Sequence, residues 1–311
     1  MVSFIGLFIA GVILLLISTD YFMKSATRLS VALRLSPLII GLTVVSIGTS
    51  LPELVVSIIA AAEGDMGLAT GNIIGSNITN VLLVFAVGIL AGKIRVGTIK
   101  TQRNIYIVSV LTGLYLLLYA FSVSHIVSGL ILLACTIIVS YYEYSLGVQG
   151  RQYEDQTPYH VSPKTKFAPK DIWIVLGTLL GIVIGGMLTV TSVEGLSLIL
   201  GLSTTVLGLS ITAIATSLPE LMTTIFSQRN HEEKLTIGNL IGSNIYNISL
   251  IGGMILVLSP WYRITPYEYL TLISVTALFA IIIVLYRGKE IPTYVGVVLL
   301  GLFSVYIYYL R

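Results

Sequence analysis

Ten long apolar runs succeed one another along the 311-residue chain, near 3–23, 35–62, 67–92, 104–122, 124–145, 171–192, 200–227, 235–258, 267–286 and 291–310. Each is long enough to cross ~30 Å of hydrocarbon as a helix, and most of the polar joints between them are short. The joint at 146–170 is the exception: it contains GVQGRQYEDQTPYHVSPKTK, a polar stretch with two prolines and the composition of a solvated tether. The pattern therefore predicts an all-α, polytopic membrane protein with ten transmembrane helices. Residues 1–145 form a first five-helix unit, 146–170 a linker and 171–311 a second unit.

Composition agrees with a bilayer setting. The chain is 56% hydrophobic with a mean hydropathy of +0.97, and 10% of its residues are charged where a soluble domain has roughly 25%. The net charge of +3 is small, but the 17 Lys and Arg residues alternate from joint to joint. Fifteen of the 17 follow the first, third, fifth, seventh and ninth runs, beginning with Lys24, Arg28 and Arg34, and only Arg263 and Arg311 fall on the other face. By the positive-inside rule the fifteen face the cytoplasm, which places both termini outside the cell membrane and the linker inside. The basic residues thus report topology and make no case for nucleic-acid binding. Cys135 is alone in an apolar run, where packing is its simplest role. MVSFIGLF lacks the basic start of a secretory signal and its apolar stretch is long, so a retained first span is expected.

The two units share text. Residues 33–83 laid over 200–250 at a constant offset of 167, without gaps, give 23 identities in 51 positions. GTSLPEL at 48–54 and GNIIGSNITN at 71–80 return as ATSLPEL at 215–221 and GNLIGSNIYN at 238–247. Five spans separate equivalent points. Because five is odd, the copies enter the membrane from opposite faces, the inverted-repeat arrangement that puts a binding site near the midplane.

Glu53 and Glu220 are the acidic residues that fall mid-span, where an ionised carboxylate is opposed by roughly 3 kcal/mol unless something compensates it. No Lys or Arg lies at that depth, so a transported cation is the natural counter-charge; the alternative is a protonated Glu serving as a hydrogen-bond donor. Pro52 and Pro219 precede the two Glu residues and leave the carbonyls of Gly48 and Ala215 without a helical donor. Interrupted backbone at membrane depth persists where protein encloses it or it lines a wet cavity, and its carbonyls are hard oxygen ligands. Helical spacing sets Thr49 and Ser50 on the face of Glu53, and Thr216 and Ser217 on that of Glu220. Ser76 and Asn80, like Ser243 and Asn247, are four apart on one face; interhelical hydrogen bonding is the plainer reading of any one such residue, whereas the eight Thr, Ser and Asn residues together point to a set of oxygen ligands. Gly71 and Gly75, with Gly238 and Gly242, allow close backbone approach and would hold these side chains against the Glu-bearing helices. Oxygen ligands without Cys or His select hard cations such as Ca²⁺ and Na⁺, and two carboxylates neutralise one Ca²⁺. His125, His160 and His231 all fall in loops or at span ends.

These paired, inverted segments resemble the alpha repeats of the cation/Ca²⁺ exchanger superfamily, in particular its prokaryotic sodium/calcium exchangers. The resemblance is specific over the two 51-residue segments and extends to the overall topology. It implies Glu53 and Glu220 as central cation ligands, joined by Thr49, Ser50, Thr216, Ser217, Ser76 and Ser243, with backbone carbonyls of Ser46 and Ala213. It also implies exchange of Ca²⁺ for Na⁺ with no cofactor. The family's remaining pair is commonly Asn in one half and Asp in the other, whereas this chain has Asn80 and Asn247. One potential negative charge is thereby removed, which leaves open both the usual three Na⁺ per Ca²⁺ and Na⁺ as the driving ion.

Three other functions compete with this reading. Ca²⁺/H⁺ exchange is the runner-up, since burial disfavours the charged form of a carboxylate and lets protons compete, although proton-coupled relatives usually carry further acidic motif residues. A channel fits poorly with two inverted, interrupted sites. An enzyme lacks a mid-span His as base, and a zinc-ligand pair is missing as well. Asp20, near the end of the first span, is an interfacial polar residue by position, and its aligned position is Met187. Nothing in the sequence sets the oligomeric state, and a monomer could suffice.

Overall fold

The computed structural model describes residues 1–32, 46–96, 99–121, 123–150, 170–229, 233–258 and 264–310. Outside these lie 33–45 of the second predicted span, most of the predicted linker, His160 and His231. Helix α1 runs over Val2–Ala32. The second span supplies α2 (Ser46–Thr49) and α3 (Leu51–Ala62), separated by Ser50. Helix α4 covers Met66–Ala91, with a π-helical turn at Asn80–Val84. Next come α5 (Ile99–Ala120), α6 (His125–Gly150) and α7 (Lys170–Leu200). Helix α8 consists of Thr204–Leu207, a π turn at Gly208–Thr212 and Ala213–Thr216, and α9 is Leu218–Arg229. Helix α10 joins Glu233–Tyr246 through a π turn at Asn247–Ile251 to Gly252–Leu258. Helices α11 (Pro266–Leu285) and α12 (Thr293–Tyr309) complete the described chain.

Among the described residues, eight helices are long and apolar enough to cross a membrane. Two of the ten predicted spans fall short of that measure. The second contributes only α3 and the short α2, because 33–45 lie outside the described residues, and α12 has 17 residues, about 26 Å at 1.5 Å per residue. Two spans are longer than the sequence suggested: α1 continues to Ala32, and α7 runs on past residue 192 to Leu200. Their polar ends at Lys24 and Glu194 continue the helix because nothing in them breaks it; α7 stops before Gly201, whose φ of +65° no other residue type adopts readily.

One departure from helix is a two-residue antiparallel ladder, with β1 (Arg95–Val96) paired to β2 (Lys289–Glu290) in the register Arg95↔Glu290 and Val96↔Lys289. It brings the joint after the third span to the joint after the ninth, two loops that the alternation of basic residues assigns to one face.

The core is built on α4 and α10, in each of which 83% of the most apolar window is buried. Their enclosure has a sequence cause. A Cβ on Gly71 would meet the carbonyl oxygen of Thr205 at 2.7 Å, and one on Gly75 that of Leu209 at 2.7 Å, so only hydrogen at these positions lets α4 approach the α8 backbone this closely. Outside this core, α1 and α7 pack along one another, and both meet α3. Many of their apolar side chains, such as Ile9, Ile13 and Leu180, remain exposed, as expected of a surface solvated by lipid.

Candidate functional site

Two interrupted helices create the site. Ser50 (φ −85°, ψ 9°) and Ser217 (φ −83°, ψ 8°) end α2 and the last part of α8, and new helices begin at Leu51 and Leu218. Pro52 and Pro219 therefore occupy the first turn of α3 and α9, where a missing N–H costs nothing. The break lies two residues before each proline, and it places Glu53 and Glu220 in the first turn of a helix, against unpaired N–H groups that favour negative charge. Each carboxylate lies against its own backbone N–H.

All twelve candidate residues, Ser46, Thr49, Ser50, Glu53, Ser76, Asn80, Ala213, Thr216, Ser217, Glu220, Ser243 and Asn247, are buried. Their bonds run between the halves of the chain. Ser217 Oγ donates to Glu53 Oε1 at 3.0 Å, and Ser50 Oγ donates to Glu220 Oε1 at 3.2 Å. Thr216 lies beside Glu53, and Thr49 and Ser243 beside Glu220. Helical spacing alone grouped each Thr-Ser pair with the Glu of its own half; the break at Ser50 and Ser217 instead turns each serine toward the opposite carboxylate. Glu53 Oε2 and Glu220 Oε2 are buried without a hydrogen-bond partner, as are Ser76 Oγ and Ser46 Oγ.

The carbonyls of Ser46 and Ala213 accept from Ser50 N at 3.3 Å and from Ser217 N at 3.1 Å, and the hydroxyls of Thr49 and Thr216 also lie within 3.3 Å and 3.4 Å of them. Ser76 stands one turn from Asn72 and one from Asn80 on a single face of α4.

Asn80 and Asn247, matched in sequence, differ in surroundings. Each opens a π turn, an irregularity common at functional sites. Asn80 Nδ2 donates to Asn244 Oδ1 at 3.0 Å, while Asn80 Oδ1 is unpartnered. The equivalent bond, from Asn247 Nδ2 to Asn77 Oδ1, is not made: the Asn77 amide is oriented by its Nδ2 donating to the Ile73 carbonyl at 2.8 Å, and both polar atoms of Asn247 are buried without a partner.

Three further residues stand at this centre that the motif pattern does not single out as ligands: Asn72, Asn239 and Asn244. Thr216 Oγ1 lies 3.2 Å from Asn72 Oδ1, and Thr49 Oγ1 lies 3.2 Å from Asn239 Oδ1. The signal was present, since Asn72 and Asn239 are identical across the repeat and stand one turn before Ser76 and Ser243. Other polar residues are engaged elsewhere. Asp20 pairs with Lys24 on an exposed face of α1, and His125 Nδ1 meets the Leu256 carbonyl at 3.0 Å.

The site presents two buried carboxylates and several partnerless buried oxygens from both halves, a donor set suited to a hard cation. A family profile described as sodium/calcium exchanger protein matches residues 3–145 and 170–311. The chain is 33% identical over 266 residues to a putative antiporter, CaxA, of Alkalimonas amylolytica, covering 81% of this chain and 80% of that protein. It is 30% identical over 332 residues to the sodium/calcium exchanger MaX1 of Methanosarcina acetivorans, covering 93% of each. Its fold is similar to that of the sodium-calcium exchanger NCX_Mj solved with Na⁺ and Sr²⁺, with a TM-score of 0.68, 26% identity, and coverage of 100% of this chain and 99% of the other.

Proposed function

The chain belongs to the sodium/calcium exchanger protein family, and from that premise we propose that it exchanges Ca²⁺ for Na⁺ across the cell membrane by alternating access. It is a multi-pass membrane cation antiporter and not an enzyme; the ions are substrates, and the family's chemistry needs no cofactor. In this reading the chain crosses ten times as two inverted five-helix repeats, 1–145 and 171–311. They are joined by a cytoplasmic linker at 146–170, and both termini are outside.

The observation that carries the proposal is the pair of reciprocal bonds, Ser217 to Glu53 and Ser50 to Glu220, each leaving one buried carboxylate oxygen without a partner. The ion ligands are Glu53 and Glu220, with Thr49, Ser50, Thr216, Ser217, Ser76, Ser243, Asn80 and Asn247 and the carbonyls of Ser46 and Ala213. Two ionised carboxylates balance one Ca²⁺ or two Na⁺. Left without a cation, they would sit in a low-dielectric interior at a cost of several kcal/mol per ion. Rearrangement is then favoured only when the site is loaded, which makes the device an exchanger and not a leak. Because the ligands come from both halves of one chain, a monomer suffices.

Purified protein in liposomes, with voltage held by an ionophore, should take up Ca²⁺ when Na⁺ flows outward. Uptake driven by a proton gradient and indifferent to Na⁺ would favour Ca²⁺/H⁺ exchange. Absence of uptake under either gradient would remove the exchange reading.

A further inference from the structure

A hydroxyl has one hydrogen, and where it points decides what its oxygen can bind. A cation held between Thr49 and Glu220, or between Thr216 and Glu53, needs the threonine lone pair, so the hydrogen must turn to an acceptor on the far side. Thr216 Oγ1 has three within reach: Thr212 O at 3.0 Å, Ala213 O at 3.4 Å and Asn72 Oδ1 at 3.2 Å. Among the described residues, Thr49 Oγ1 has Ser46 O at 3.3 Å and Asn239 Oδ1 at 3.2 Å, with Ser243 Oγ also at 3.3 Å. Using the Ala213 or Ser46 carbonyl would spend an oxygen that the site needs for the ion. The asparagine oxygens, each from the opposite half, do not, and for Thr216 neither does the Thr212 carbonyl.

We infer that Asn72 and Asn239 are positioning residues: Asn239 takes the hydroxyl hydrogen of Thr49, and Asn72 shares that of Thr216 with the Thr212 carbonyl, leaving the threonine oxygens and the Ala213 and Ser46 carbonyls to the cation. The inference rests on the exchange reading above. The two asparagines are anchored unequally. Asn72 Nδ2 lies 3.0 Å from Ser57 Oγ and 3.3 Å from the Glu53 carbonyl, so Asn72 also braces the Glu53 helix. Thr224 stands where the repeat has Ser57, and in that half both Thr224 Oγ1 and Asn239 Nδ2 are buried without a partner. Asn239 thus acts through its oxygen, on Thr49, and substituting it isolates that one interaction.

The test is Ca²⁺ titration calorimetry on the purified full chain, comparing wild type, Asn239→Leu, Thr49→Val and the double variant. Leucine matches asparagine in size but accepts no hydrogen bond. Loss of one such bond should weaken Ca²⁺ binding about five-fold in Asn239→Leu. The double variant should bind no more weakly than Thr49→Val alone, because the asparagine acts through the threonine. Unchanged affinity in Asn239→Leu, or an equal further loss in the Thr49→Val background, overturns the inference. Should Asn239→Leu not fold, Asn239→Ala serves the same comparison. A wild-type protein that binds no Ca²⁺ would instead overturn the exchange reading on which this rests.

Discussion

Ser217 donates a 3.0 Å hydrogen bond to Glu53, a residue of the opposite half, while the equivalent residues Ser50 and Glu220 make the mirrored bond at 3.2 Å. The partners of each bond lie 164 and 170 residues apart in sequence. Each half therefore helps hold the other's carboxylate, and a change on one side of the site is felt on both.

Replacing either serine tests this directly. Ser217→Ala removes a hydrogen bond to a charged group, worth about 1.5–3 kcal/mol, and should weaken Ca²⁺ binding by roughly ten-fold or more. Ser50→Ala should do the same through Glu220. Calorimetric titration checks both, and wild-type affinity in either variant would show that its cross-half bond does not shape the site.

Glu53→Gln and Glu220→Gln each delete one of the two charges that face the ion while making the helix easier to insert. Both proteins should reach the membrane in normal amounts, bind Ca²⁺ about 100-fold more weakly and show no exchange in liposomes. Near wild-type exchange in either variant would exclude that carboxylate from the site.

Asn247→Asp adds a third carboxylate at a position whose amide has no partner. When ionised, the new group shifts the balanced load from one Ca²⁺ or two Na⁺ toward three Na⁺. Inhibition of Ca²⁺ binding by Na⁺ should steepen, its Hill coefficient rising from about 2 toward 3. Identical Na⁺ competition curves for the two proteins would place Asn247 outside the ion site.

Arg103 Nη2 lies 2.7 Å from Glu143 Oε1 at the ends of α5 and α6, and its guanidinium sits 5.0 Å from the centre of the Tyr142 ring. The Glu143 side chain is only 8% exposed. Arg103→Leu leaves that charge uncompensated and should destabilise the protein by about 2–3 kcal/mol, read as a lower melting temperature in detergent. Arg103→Leu/Glu143→Leu should recover most of the loss; equal melting temperatures for the single and double variants would contradict the pairing.

Topology has its own check. In a Cys135→Ser background, Lys93→Cys and Ser203→Cys place single thiols in exposed joints after the third and sixth spans. The inverted arrangement expects labelling of the first from the cytoplasm and of the second from outside. Labelling of both from one face would break it.

Much of this protein is determined by its sequence alone. Apolar run length dictates helices in a bilayer, because backbone polar groups in hydrocarbon must be satisfied within the segment. The alternating Lys and Arg residues predict sidedness, and the duplicated GTSLPEL/ATSLPEL and GNIIGSN/GNLIGSN segments pick out Glu53, Glu220 and their neighbours. Local pattern could not decide which half each side chain serves. Spacing along one helix joined Ser50 to Glu53, but the break at Ser50 turns the hydroxyl toward Glu220, a distance relationship that exists only once the halves pack. Tertiary structure likewise separates Asn80 from Asn247, identical in text, through whether a third asparagine is free to bond them, and it brings Asn72 and Asn239 to the threonines. Hydrogen-bond partners are chosen by proximity across the packed interface. Sequence identity across a repeat records which residues are equivalent, and packing alone decides which of them meet.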